Sequence, residues 1–250
     1  MSRPSHLSIS IPLLALLTGC SSSVKMSDAD GFGTVWSSVW LSEEDSDDAQ
    51  SVVLSNVTGV CRKMQNAAEE TKDLYDEIYD EYDDLDYDDE DEVCEFYADM
   101  FGRYAKLYEP LYPKNAHYVR MVFRDEDGRA ELDEGTWESD RSADERVNMS
   151  IAYFGAGSPW QLLADVIDCD NDDWYDDYED AYDDFEDEYQ TWRFDDDGEV
   201  EVTNVRNDRK VKGTFEGGLL DDDGDDDGEI KGRFGASWCE VEDSDYLYTL

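Results

Sequence analysis

Basic residues are scarce in this chain. Its 250 residues hold 20 Lys+Arg against 67 Asp+Glu, a formal charge of −47. That balance excludes nucleic acid as a partner, because phosphate binding rests on clustered Lys and Arg. It also opposes close approach to an anionic membrane. Histidine is scarcer still, with only His6 and His117. Histidine-rich zinc sites are excluded on that count. A Ser-His-Asp hydrolase would rest on His117 alone, which starts a strand-like run and has no nucleophile motif to serve. The five cysteines include no C-x-x-C pair, which argues against thioredoxin chemistry and against a cysteine zinc site. No apolar run reaches the ~20 residues that carry a helix across a bilayer.

Aromatic residues, by contrast, are plentiful. They make up 13% of the chain, with 16 Tyr, 9 Phe and 7 Trp. Acidic disordered chains lack that apolar payload, so the composition predicts a folded core under an acid shell. The self-repelling surface suits three uses: tolerance of high salt, binding of cations, or docking to a basic protein partner. A solvated acidic surface fitted to a saline habitat is the plainest of them.

The N-terminus carries Arg3 and His6, then Leu7, Ile9, Ile11 and Leu13 to Leu17, and ends in Leu17-Thr18-Gly19-Cys20. An apolar stretch of about 7–15 residues after a basic start reads as a signal peptide, and Pro12 argues against a regular membrane helix. The last four residues resemble the lipobox of bacterial lipoproteins. That resemblance implies lipidation of Cys20, removal of residues 1–19, and attachment to the membrane through the N-terminal lipid. Ser21, where Asp would be a retention signal, implies a bacterial cell envelope location at the outer membrane. Residues 20–30 are then expected to be a lipidated tether, and residues 31–250 one acidic domain. The mature chain loses Arg3 and no acid, which takes its charge to −48.

Four cysteines remain: Cys61, Cys94, Cys169 and Cys239. In an oxidising compartment an even count predicts disulfides. Cys61 and Cys239 each close a strand-like run near one end of the domain, which favours Cys61–Cys239 and leaves Cys94–Cys169.

Hydrophobic periodicity predicts an α+β fold: an antiparallel β sheet or sandwich with an inserted acidic helical hairpin. Residues 32–41 and 52–57 read as strands, with an acidic loop at 43–50 between them. Two stripes at three- and four-residue steps follow, Met64 to Leu85 and Val93 to Leu111, broken at 86–92. They make the hairpin at about 60–112. Residues 118–123 and 147–154 return to strand character. Residues 125–128 form a turn, and 129–138 a hairpin mate for the strand before it. Residues 160–167 suit a short helix.

Trp174, Tyr178, Tyr182, Phe185, Tyr189 and Trp192 recur at helical spacing within an acid-rich stretch. Like charges four apart oppose such a helix. Residues 73–85 and 173–185 agree at seven of thirteen positions, which shared composition explains, and the two elements are expected to pack together. The C-terminal third alternates cleanly from Val200 to Trp238. Its phrases Lys212-Gly213-Thr214-Phe215 and Lys231-Gly232-Arg233-Phe234 predict adjacent antiparallel strands whose glycines admit the aromatics. This Gly-x-Phe ending resembles those of acidic bacterial envelope lipoproteins, a likeness that implies no activity.

One motif carries candidate chemistry. Asp223, Asp225, Asp227 and Glu229, with Gly228 in the sixth position and Ile230 in the eighth, resemble the first half of a calcium loop. Phe234 stands where the bidentate Glu would be. The expected function is a non-catalytic envelope module, structural or binding, with no cofactor. The alternatives are a calcium- or cation-responsive protein using residues 223–229, and a carboxylate-based hydrolase.

Overall fold

In the computed structural model the described residues are 22–26, 34–43, 49–87, 89–124, 132–139, 145–155, 157–169, 171, 174–175, 178, 189–206, 209–221 and 223–241. The expected signal peptide, Cys20, the expected turn at 125–128 and residues 179–188 of the second acidic stretch fall outside them.

Among the described residues, ten strands form a mixed, mostly antiparallel sheet, with three helices beside it. The strands are β1 (Ser23–Met26), β2 (Ser37–Glu43), β3 (Ala49–Ser55), β4 (Ala116–Arg124), β5 (Gly135–Glu138), β6 (Arg146–Phe154), β7 (Tyr189–Phe194), β8 (Glu199–Arg206), β9 (Lys210–Leu220) and β10 (Asp226–Trp238). The helices are α1 (Val60–Asp83), α2 (Glu90–Tyr108) and α3 (Pro159–Val166). Ser23–Met26, inside the stretch expected to be a tether, pairs antiparallel with β10.

The pairings close on themselves. β10 pairs with β2, and the ladder runs on through β3 and β4 to β6. From β6 it returns to β9 by two routes, through β7 and through β5 and β8. β9 then pairs with β10. Alternate residues of these strands meet in one buried cluster, among them Trp40, Leu54, Met121, Trp137, Ile151, Trp192, Phe215 and Phe234. Strand periodicity of two produces this directly.

The other face of β2, β3, β4 and β6 packs under helix at one end. Val39, Val53, Tyr118 and Phe154 meet Val60, Met64 and Ala67 of α1 and Tyr108 of α2. The Tyr118 hydroxyl donates to the Leu111 carbonyl, and burial pushes its phenol pKa upward. Gly59, in the left-handed region at φ 68°, turns the chain from the sheet into α1. A side chain would be strained there.

The acidic break between the helices includes a cap. Asp89 accepts the Glu92 amide at 3.3 Å, and Glu90, Asp91 and Glu92 occupy the first turn of α2. Acids at that end complement the helix dipole, so α2 starts inside the residues expected to be the break. Arg103 then ties α2 to α1, at 2.6 Å from Asp99, 3.0 Å from Glu81 and 3.8 Å from Glu77.

Three expectations need correction. β5 is not the hairpin mate of β4: it pairs with β8 along its length, and β4 pairs with β3 and β6. The second acidic stretch is not one helix through Trp192. Its start packs on α2, with Trp174 against Tyr97 and Tyr178 against Phe101. Its end is β7, where Trp192 and Phe194 face the central cluster at strand spacing. Val205 follows Val202 out of phase because the register of β8 shifts between Val202 and Asn204, which places one extra residue there.

The Gly-x-Phe phrases do pair, with Gly232 opposite Phe215 and Phe234 opposite Gly213. A Cβ on Gly213 would lie 2.5 Å from the Phe234 ring and 2.4 Å from the Glu201 carbonyl. Both disulfides form as expected, at 2.09 Å for Cys61–Cys239 and 2.10 Å for Cys94–Cys169. Cys61, however, sits in the first turn of α1 and not at a strand end.

Two stability predictions follow from this packing. Gly213→Ala should destabilise by about 3 kcal/mol or more, because the Glu201 backbone cannot yield as a side chain can. Gly102→Ala, inside α2 with nothing within 4 Å of its Cβ, should stabilise by about 0.5–1 kcal/mol. Urea melts of both variants check the pair, and equal effects would contradict the packing. Removing Cys61–Cys239, whose partners lie 178 residues apart, should lose about 5 kcal/mol in the chain-entropy model. Thermal melts of the Cys61→Ser/Cys239→Ser variant should show a midpoint lower by roughly 10 °C or more.

Candidate functional site

The candidate calcium ligands are divided between a turn and a strand. Asp223 and Asp225 lie in the β9–β10 connection, while Asp227 and Glu229 are already in β10. Asp221 organises the turn: its side chain accepts the Asp225 amide at 2.8 Å and its carbonyl accepts the Gly224 amide at 3.1 Å. Asp227 accepts the indole N–H of Trp192. A calcium loop coils its chain around the ion, but here its second half extends into a ladder with β9. Among the described residues, no group of three or more His, Cys, Asp or Glu is placed to share a metal ion.

His117 braces the start of β4. Its ring stacks on Tyr153 at 4.4 Å, its Nδ1 lies 3.2 Å from the Asn115 carbonyl, and its amide donates to Asn56 Oδ1 at 2.8 Å. Burial lowers its pKa from the ordinary histidine value, which favours the neutral ring near pH 7.

A different constellation emerges where the ring of strands divides. β4 covers one side of β6 along its whole length. On the other side β5 meets β6 only at Arg146, and β7 meets it only from Ser150 onward. Among the described residues, Val147, Asn148 and Met149 therefore have no strand partner on that side. Beyond Arg193, β7 leaves β6 and joins β9 at Leu220 and Leu219. The resulting slot has a volume of about 810 Å³ and is lined by residues that include Arg124, Arg146, Arg193, Asp195 and Asp196.

Strand alternation gives the slot its chemistry. Phe123, Val147, Met149, Trp192 and Phe194 turn inward to the central cluster. Their neighbours Arg124, Arg146, Asn148 and Arg193 share the outward face. Arg124 stands directly opposite Arg146 in the ladder, and Arg193 opposite Ser150. Directly opposed like charges destabilise a strand pair. The Nε of Arg124 is buried and has no hydrogen-bond partner among the described residues. Asp195 accepts the Asp196 amide at 2.7 Å, and its carbonyl accepts the Ser139 hydroxyl. Guanidinium groups grouped at one opening can hold a carboxylate or phosphate through planar, charge-assisted hydrogen bonds.

The sequence reading passed over these arginines. Its strands at 118–123 and 147–154 end and begin beside Arg124 and Arg146, so their pairing as neighbours was the missing signal. Arg193 was hidden inside the supposed acidic helix. No protein-family model matches the chain, and no curated protein or solved structure matches it.

With Asp221 holding the turn and Asp227 holding Trp192, calcium should behave as a screening ion only. At matched ionic strength, CaCl₂ and NaCl should raise the thermal midpoint equally. A larger rise at micromolar calcium would contradict this, because a ligand stabilises only the state it binds.

Proposed function

We propose that this chain is a non-catalytic, lipid-anchored protein of the bacterial cell envelope, held at the outer membrane through Cys20 and acting as a binding module. The supporting observation is how soon the chain joins the fold. Ser22 already shares a hydrogen bond with Ser38 at 2.6 Å and accepts the Gly235 amide at 3.1 Å. β1 then runs from Ser23 along β10. One residue, Ser21, separates Cys20 from this docked chain. An extended residue spans about 3.3–3.6 Å, so the anchor keeps the domain close to the lipid surface. The net charge of −47 keeps it out of an anionic headgroup layer. A binding role accords with cysteines engaged in disulfides, a histidine engaged in packing, and an arginine-lined slot open at the division of the sheet.

The anchor is tested by fractionation and mass spectrometry of the full-length protein expressed in a bacterium with an outer membrane. The protein should partition with outer membranes, and its N-terminal peptide should begin at a lipid-modified Cys20. Cys20→Ala should move the folded domain to the soluble fraction. Unchanged membrane association of Cys20→Ala, or an unmodified N-terminal cysteine in the native protein, would refute the reading.

A further inference from the structure

One face of the strand ring departs from the charge of the rest of the chain. We propose that the outer face of β1, β10, β9 and the end of β8 is the membrane-facing side of the domain, and that it docks on anionic phospholipid headgroups around its own anchor. The proposal rests on the lipid anchor at Cys20 argued above.

The first observation is where the bases gather. Residues 20–26, 206–215 and 230–238 hold seven bases and one acid, Asp208, in a chain of 20 bases and 67 acids. Strand alternation puts them on one surface. Val24, Val211, Phe215, Ile230 and Phe234 turn to the central cluster. Lys25, Lys210, Lys212, Lys231 and Arg233 alternate with them, exposed on the opposite face. Across the ladder Lys25 stands opposite Lys231, and Arg206 opposite Lys210. None of the seven bases makes an ion pair among the described residues. Glu199, Glu201 and Glu216 share this face, but on β8 and β9, the side away from β1.

The second observation is where the anchor emerges. The Ser22 hydroxyl accepts the Gly235 amide at 3.1 Å, and Gly235 stands opposite Lys212. A strand rise of ~3.3 Å and a strand spacing of ~4.8 Å place the backbone of Lys25, Lys212, Lys231 and Arg233 within roughly 12 Å of Ser22. Cys20 is two residues before Ser22, a span of at most about 7 Å. A lipid on Cys20 thus holds these bases at the headgroup layer.

Electrostatics then fixes the orientation. A single anchor leaves a domain free to swing. At physiological ionic strength charges are screened beyond about 8 Å, so an anionic surface acts on the bases beside the anchor. The acid-rich remainder is repelled and turns outward. A lipid chain and a basic patch together make a two-point attachment.

Cys20 is the one cysteine outside the two disulfides. The full chain can therefore be coupled through it to a maleimide-bearing lipid, at low density, in vesicles of phosphatidylcholine alone or mixed with phosphatidylglycerol. A membrane-impermeant acylating reagent then reports each lysine by mass spectrometry. Lys25, Lys212 and Lys231 should react at least threefold more slowly on the phosphatidylglycerol vesicles, and Lys106 of α2 equally on both. Added NaCl should remove the difference. Lys212→Gln/Arg233→Gln should at least halve the protection of Lys25. If that variant fails to fold, the lipid comparison in the wild type decides. Equal reactivity of the three lysines on both vesicles would overturn the proposal, as would equal slowing of Lys106. Protection on phosphatidylcholine that rises with protein density would overturn it in favour of a second copy of the chain. The coupling is chemical, so a Cys20 left unlipidated in cells shows only in the fractionation test, and failure here refutes the docking face alone.

Discussion

Closure of the strand ring along β9 and β10 is the constraint on which the rest of the structure depends. Phe215 lies over Gly232 and Phe234 over Gly213, each aromatic filling the space the opposite glycine leaves. With that pairing made, β10 has one edge left. β1 takes it at 230–233 and β2 takes it at 237–238. The β2–β10 seam is parallel and only two residue pairs long. So short a ladder has little strength of its own. It is reinforced at its end by the Cys239 amide on the Trp40 carbonyl at 2.8 Å, by the edge-on contact of Trp40 with Trp238 at 5.1 Å, and by Cys61–Cys239. The covalent bond falls at the end of this two-pair seam.

The acid load is managed by position. The central cluster contains only apolar side chains, and the carboxylates lie outside it. α1 shows the tension most clearly. Of its six buried residues, five lie between Val60 and Thr71, and only Ile78 is buried beyond. Tyr75, Tyr79 and Tyr82 on the outer part are exposed. That part draws its support from α2, through Arg103 and the contact of Tyr82 with Phe96 at 5.9 Å. Arg103 is itself 30% exposed, so solvent and salt weaken its bridges. The outer half of α1 is therefore where repulsion among Asp and Glu most nearly offsets packing, and where added salt helps most.

Elements with one strong period were legible in the sequence. The two helices announced themselves by apolar steps of three and four, and β8, β9 and β10 by strict alternation. The glycine phrases even specified which strands are neighbours, because an aromatic above a glycine needs its partner opposite. What misled was coincidence between periods. Tyr189 and Trp192 fit a helical step of three, but Trp192 and Phe194 fit a strand step of two, and pairing with β6 decided between them. Closure of the ring was not legible at all, since it rests on two residue pairs between distant segments. The geometry of the calcium-like motif was hidden for a related reason. Spacing shows which oxygens are near in sequence, but extension of β10 back to Asp226 sends them along a ladder.

The slot belongs to that same class of feature, visible only once the topology is known. β5 and β7 approach one edge of β6 from opposite ends and neither covers its middle. Had either strand continued, Val147 to Met149 would be paired on both sides. The division instead leaves Val147 and Met149 buried with one strand neighbour among the described residues, beside a face where Arg124 stands opposite Arg146. Local rules hold across most of the fold: a side-chain cap on α2, aromatics over glycine, and charge kept from the core. At this opening the backbone rule gives way: among the described residues Val147 to Met149 have a strand neighbour on one side only, where β5 and β7 part.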